Sequence, residues 1–156
     1  MRSQANTRAG VTVAFMALST DEREQFLAQP HIAALSVSAG PDRGPVSIPI
    51  WYHYTPGAEP WILSPASARK VGLIAAAGHF TLLVEQVTPR IRYVSVSGPV
   101  SRTVPGTDEM TMEMAARYLP PDQVPGYLEY ARTQLGEQVA IYLRPQNWLS
   151  SDLGAG

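Results

Sequence analysis

Residues 80–104, FTLLVEQVTPRIRYVSVSGPVSRTV, carry the reading of the fold. The stretch is rich in β-branched residues and is divided by Thr88-Pro89, which predicts two strands, 80–87 and 90–104, joined as a hairpin. In the second, Tyr93, Ser95 and Ser97 alternate with Val94 and Val96, the period of a strand whose two faces meet different surroundings. Gly98-Pro99 then interrupts it.

Upstream, Ser19-Thr20-Asp21-Glu22 matches a capping box and predicts a short helix over 20–29, stopped by Pro30. The apolar run 31–39, HIAALSVSA, closes at the turn cluster 40–44, GPDRG. A second run, 45–54 (PVSIPIWYHY), carries Pro45 and Pro49, which places it at an edge or a bulge. Residues 61–63 follow the turn Pro56-Gly57 as a third strand. Downstream, 107–119 and 126–135 read as amphipathic helices separated by Pro120-Pro121, and 138–143 as a last strand. About six strands with few, mostly late helices predict a mainly β chain with α, an antiparallel barrel with helices packed outside it rather than a βαβ fold.

With 156 residues, 45% of them hydrophobic and 16% charged, the chain fits one globular domain. The expected division is a loose N-terminal leader over 1–18 and a single domain over 19–156. A net charge of −1 supplies no general attraction to nucleic acid or an anionic membrane, so any anion site must be local. The chain has no cysteine, which removes disulfides, thiolate ligands and thiol nucleophiles together. His31, His53 and His79 form no ligand-spaced pair, so no metal site is expected. The apolar run 11–18 is too short for a membrane span, and the expectation is a soluble cytoplasmic protein without nucleic-acid or membrane partners.

Residues 64–74, SPASARKVGLI, contain the only lysine of the chain. Ser64 reads as the N-cap of a helix with Pro65 at its first position, Ser67 as an alternative start, and Gly78 as the stop after about residue 77. Arg69 and Lys70 then sit at the positive end of the helix dipole, an arrangement that a phosphate would relieve. A solvated pair on a surface helix is the alternative.

Three segments in order, HIAALSVSAGPDRGPVSIPIWYHY, WILSPASARKVGLI and RYVSVSGPV, resemble the flavin-binding split-barrel family, the pyridoxamine-phosphate-oxidase-like proteins and their deazaflavin (F420) relatives. The likeness rests on Pro49-Ile50-Trp51-Tyr52, on Ala68-Arg69-Lys70 and on Tyr93 to Gly98, about half the chain, with the helical part 107–135 least diagnostic. It implies a six-stranded antiparallel split β-barrel with peripheral helices. Arg69 and Lys70, helped by Ser64 and Ser67, would hold the cofactor phosphate. Ile48, Pro49, Ile50 and Trp51 would lie along the isoalloxazine or deazaflavin ring, and the protein would be a homodimer with two cofactor sites at its interface. Ala68 stands where the family often has serine, and Pro65 replaces a small residue.

The implied function is an oxidoreductase that uses bound FMN or F420 for hydride transfer to a small organic substrate. The absence of an obvious acid, base or nucleophile fits cofactor chemistry. The alternatives are a non-catalytic flavin- or deazaflavin-binding or carrier protein, and a cofactor-free dimeric interaction module. Trp51, Tyr52 and Tyr54 are expected to pack rather than to line a pocket. His53 is expected at the surface or an interface, and His79 at a helix end. Arg90 and Arg92 read as rim arginines which, with Arg43, would also suit the anionic tail of F420. Met110, Met112 and Met114 form no clean stripe, and Trp148 is expected to anchor the C-terminal tail across the dimer.

Overall fold

The computed structural model describes residues 4–8 and 11–155. Two short strands, β1 (Gln4–Arg8) and β2 (Val11–Phe15), pair as an antiparallel hairpin. The remainder of the expected leader lies outside the described residues, apart from the stretch from Met16, which bridges to Asp152. After helix α1 (Thr20–Ala28) come β3 (Ala33–Val37), β4 (Val46–Ile50), β5 (Trp61–Pro65), helix α2 (Arg69–Ala77), β6 (His79–Gln86) and β7 (Arg90–Pro105). Helix α3 (Asp108–Tyr118) and helix α4 (Val124–Tyr130), which runs on into a π-helical turn (Ala131–Leu135), precede β8 (Gln138–Leu143) and β9 (Asn147–Ala155).

Six of these strands form one antiparallel path in the order β4-β3-β6-β7-β8-β5, at the six places the sequence pattern predicts. Pro49 causes no loss there, because β4 is an end of the path and has a free edge among the described residues. β9 is a seventh strand that the pattern does not show. Its sequence, NWLSSDLGA, is poor in β-formers, yet it pairs with β7 from Ser97–Asn147 to Arg90–Ala155. Tertiary pairing overrides propensity here. Trp148, expected to reach across a dimer, packs within its own chain, edge-on to Tyr54 at 6.4 Å and under the Arg23 guanidinium at 4.5 Å.

The alternation in β7 sorts its faces as expected. Val94, Val96 and Gly98 are buried, and the core around them contains Leu35, Val37, Phe80, Leu82, Val84, Ile62, Ile141 and Leu143. Each such aliphatic or aromatic side chain contributes about 1.5–3 kcal/mol by leaving water. Phe26 and Leu27 add α1 to this core. That helix begins with the expected capping box, in which Ser19 Oγ accepts from the Glu22 N–H at 3.2 Å and Glu22 Oε1 accepts from the Ser19 N–H at 3.4 Å. Its other end is tied to α3. Arg117 donates to the carbonyls of Ala28 (2.7 Å), Gln29 (2.7 Å) and Leu27 (3.2 Å), a guanidinium set on the negative end of a helix.

The start of α2 differs from expectation. Neither Ser64 nor Ser67 caps it: Ala68 is the N-cap, without a side-chain hydrogen bond. The ladder with β8 extends through Ser64–Val139 and Pro65–Gln138, so Ser64 is a fully buried strand residue whose hydroxyl donates to the Pro65 carbonyl at 3.1 Å. The stop is as expected, with Gly78 in the left-handed region (φ 77°) and its N–H on the Ile74 carbonyl at 2.8 Å.

β7 changes partners in mid-strand. Ser97 pairs with Asn147 and Gly98 with Phe80, whereas Val100 pairs with Leu143 of β8. At this crossing a Cβ on Gly98 would overlap the Arg144 carbonyl oxygen. Gly98→Ala therefore forces backbone apart inside the sheet, and we expect a loss of about 3 kcal/mol. In a thermal melt this should lower Tm by roughly 6–12 °C; a wild-type melting curve would show that the crossing tolerates a side chain.

Candidate functional site

β4 and β5, the two ends of the path, approach each other without forming a ladder. A single bridge joins them, with the His53 N–H on the Trp61 carbonyl at 2.9 Å and the Trp61 N–H on the His53 carbonyl at 3.0 Å. Beside the bridge the ends diverge, and a cavity of about 380 Å³ occupies the split. Pro49, Ile50 and Trp51 line it from the end of β4, Leu63 and Pro65 from β5, and Gln138 from β8. Thr111 and Met114 of α3, Tyr127 of α4 and Leu135 of the π turn form its other wall, with Ile32 at its edge.

That wall is fixed through aromatic side chains. Trp51 stacks on Tyr118 with centroids 4.7 Å apart and planes 13° from parallel, and meets Tyr127 at 5.3 Å. The Tyr118 hydroxyl accepts from the Tyr52 N–H at 3.1 Å and lies 2.8 Å and 2.9 Å from the carbonyls of His31 and Tyr52. One hydroxyl thus satisfies both sides of the backbone where the chain leaves β4. Burial pushes its pKa above the ordinary phenol value, so it stays protonated. Tyr52 is fully buried and donates to the Leu27 carbonyl at 2.6 Å; burial raises its pKa strongly. Tyr54 is also in the core, its pKa pushed up to about 12 by burial and by Glu24, whose carboxylate accepts its hydroxyl proton at 3.1 Å. Both tyrosines pack, as expected. Trp51 instead is half-buried and exposes a face to the cavity.

His53 is less open than the sequence suggests. It stacks on Trp61 at 5.1 Å, its Nε2 lies 3.3 Å from Glu113 Oε1, and burial lowers its pKa against the opposing pull of that carboxylate. It does not line the cavity. Met114 is buried at the wall while Met112 is 38% exposed, so the methionines surround α3 without forming a stripe.

The expected site residues fall into two groups. Pro49, Ile50 and Trp51 meet at the cavity, whereas Ile48, one residue before them, packs against the core and only borders a second depression with Ser47, Pro49, Leu83 and Glu85. Ser67, Arg69 and Lys70 gather at the start of α2, a few residues beyond Pro65. Ser64 is set apart from them by its place in β5. Neither Arg69 nor Lys70 has a hydrogen-bond or ion-pair partner among the described residues, and the helix start has no capping side chain. Other arginines are engaged: Arg90 is bidentate on Asp152 (3.0 Å twice), Arg92 lies over Phe26 at 4.8 Å and donates to Gln86 at 3.0 Å, and Arg102 lies over Tyr142 at 3.9 Å. Among the described residues no three metal-ligating side chains cluster.

Thr111, Tyr127, Gln138 and Tyr118 escape the sequence reading. The first two lie on helices whose only local signal is amphipathicity, and nothing in that pattern says which strand end a helix will cover.

No family model matches the chain, and no curated protein matches it in sequence. Solved structures do match in fold. A conserved hypothetical protein from Mycobacterium tuberculosis is 18% identical, with a TM-score of 0.66 over 88% of this chain and 86% of that one. An F420 reductase is 21% identical, with a TM-score of 0.64 over 81% and 94% of the two chains. A putative pyridoxamine 5'-phosphate oxidase from Listeria innocua is 15% identical, with a TM-score of 0.57 over 84% and 96%. The split-barrel fold that the three sequence segments imply is the fold this chain has.

Tyr118→Phe keeps the ring on Trp51 and removes the hydroxyl that holds the Tyr52 N–H. The expected loss is about 1–3 kcal/mol, the usual cost of leaving a buried donor without an acceptor. Amide exchange at Tyr52 should accelerate correspondingly, and unchanged protection there would show that the hydroxyl does not hold this backbone.

Proposed function

We propose that the chain is a pyridoxamine-phosphate-oxidase-like oxidoreductase of the cytoplasm that binds FMN or F420 at the split and passes hydride to a small organic substrate. One observation carries the reading: two cations without partners among the described residues stand at an uncapped helix start, a few residues along the chain from Pro65, which lines an uncharged cavity. The residues fit both parts of such a cofactor. Arg69 and Lys70, with Ser67 and the first N–H groups of α2, suit a phosphate, and an anion there offsets the clash of cation and helix dipole. The main chain of Ile48, Pro49 and Ile50, on the free edge of β4, suits the polar edge of a flat ring, with Trp51 beside it. That an F420 reductase and a putative pyridoxamine 5'-phosphate oxidase share the fold supports a cofactor of this type.

The cofactor, when bound, supplies the hydride chemistry. The chain supplies position and dryness. Among the described residues no carboxylate, amine, guanidinium or histidine lines the cavity, and burial keeps the Tyr127 phenol protonated, so the residues there hold rather than exchange protons, and the apolar walls from Ile50, Leu63 and Met114 exclude water.

The proposal includes a homodimer. A row across the outer sheet face, Pro49–Ala34–Leu83–Ser95–Leu149, follows the pairing from β4 to β9. Leu83 and Leu149 are 39% and 62% exposed there, Tyr93 is 36% exposed on the same face of β7, and the serines and threonine beside them are small enough for close approach. A two-fold contact through this face would also cover the free edge of β4. Sedimentation equilibrium should give a dimer at micromolar concentration and a monomer for Leu83→Asp; a monomeric wild type would contradict the assembly.

Lys70→Ala removes one charge-assisted contact, typically ~1.5–3 kcal/mol. Titrations should show FMN or F420 bound about ten- to hundredfold more weakly. The melting temperature of the cofactor-free protein should hold or rise, because a cation leaves a helix N-terminus. Equal dissociation constants for the two proteins would mean that Lys70 is an ordinary surface charge.

A further inference from the structure

The end of α1 carries a histidine that the site does not use. His31, just beyond the C-cap Gln29, sets its ring against Phe26 with centroids 4.4 Å apart. Its Nε2 is buried and has no hydrogen-bond partner among the described residues. Buried polar atoms are ordinarily bonded, and here the surroundings offer cations instead of acceptors. The Arg92 guanidinium of β7 lies over the same Phe26 ring at 4.8 Å, and Arg117 of α3 holds the carbonyls of Leu27, Ala28 and Gln29 just before His31. The Nε–H groups of both arginines are also buried and without a partner among the described residues. The other titratable groups beside His31 are the phenols of Tyr118, 2.8 Å from its carbonyl, and of Tyr52, and burial keeps both protonated. Among the described residues no carboxylate stands within ion-pair distance of it. His53 makes the contrast, because its Nε2 faces Glu113 at 3.3 Å and a proton there meets a carboxylate.

We infer that the seam between α1 and α3 is an acid-released latch on the cavity, with His31 as its trigger. A proton on Nε2 creates a buried N–H without an acceptor, and a third cation beside Arg92 and Arg117. Parting α3 from the end of α1 relieves both, since it admits water to the ring and takes Arg117 away from it. Thr111 and Met114 of α3 line the cavity and Ile32, next to His31, stands at its edge, so the parting opens the split whatever ligand it holds. Linkage fixes the sign. Burial, and then Arg117 and Arg92, hold the His31 pKa below its ordinary 6.5 against the opposing effect of the Phe26 backbone. The open seam therefore takes up the proton more readily, so the closed seam is at full strength above pH 6.5 and weakens as the pH falls below it. One proton shifts the balance toward the open form by at most about tenfold per pH unit.

Hydrogen exchange of the whole protein between about pH 8 and pH 5, the range in which histidine changes charge, reads the latch once the intrinsic pH dependence of amide exchange is divided out. The Tyr52 N–H on the Tyr118 hydroxyl and the Leu119 N–H on the Ala115 carbonyl should open more readily toward acid, by up to about tenfold per pH unit. The Gly78 N–H at the end of α2, away from the seam, should not. His31→Phe keeps a ring on Phe26 and takes no proton, and it should open alike across the range. His53→Gln should keep the wild-type response. Arg92→Met removes one facing cation and should raise the midpoint of the His31 imidazole titration followed by NMR, a reading that does not need the His31 variant to fold. The latch is overturned if the seam amides are as protected at the acid end as at the neutral end, or if His31→Phe responds as wild type does. A wild-type His31 imidazole that titrates at or above 6.5, or a midpoint that Arg92→Met leaves unmoved, overturns it equally.

Discussion

The fold depends on one strand belonging to two parts of the sheet. β7 pairs with β6 and β9 along its first part and with β8 along its last, and it changes partners where Gly98 lies against the Arg144 carbonyl. Only a residue without a Cβ allows the chain from β8 to β9 to come that close. The turn at 144–146 is held by the Arg144 N–H on the Pro99 carbonyl (2.9 Å) and the Gln146 N–H on the Ser97 carbonyl (3.0 Å). Through β7 the path runs from β4 at one end to β5 at the other, and so these two ends, far apart in pairing order, meet at the His53–Trp61 bridge.

The candidate site is a consequence of incomplete closure. Where β4 and β5 separate, the free edge of β4 and the end of β5 leave a concave space, and α3 and α4 cover it. Tyr118 and Arg117, adjacent on α3, perform the joining: one holds the backbone of Tyr52, the other the carbonyl end of α1. The charge distribution then separates two tasks. The cavity is uncharged, while Arg69 and Lys70 stand at the start of α2, with no ion-pair partner among the described residues. An elongated ligand with a flat neutral part and an anionic end matches that arrangement, and neither part alone would explain both features.

The sequence makes much of this legible where local chemistry decides the outcome. The capping box at Ser19, the left-handed stop at Gly78, the prolines of an edge strand and the alternation of Val94 and Val96 each act over a few residues, and each is found where expected. Three features depend on distant partners. Ser64 has the chemistry of an N-cap, but the ladder with β8 keeps it in a strand and leaves the cap to Ala68. β9, with two serines, an aspartate and a glycine, becomes a strand because β7 offers it an edge. Thr111, Tyr127 and Gln138 come to line one cavity only when two helices and a strand end are brought together, and no spacing in the sequence reports that meeting.

The central claim is that this split holds a flavin-type ring with its phosphate at the start of α2. A crystal structure of the protein soaked with FMN or F420 tests it most directly. The account calls for phosphate oxygens within hydrogen-bonding distance of Lys70 Nζ and the Arg69 guanidinium, and for the ring beside Pro49, Ile50 and Trp51. Density for the cofactor elsewhere on the molecule, or a split left to solvent at saturating cofactor, would contradict it.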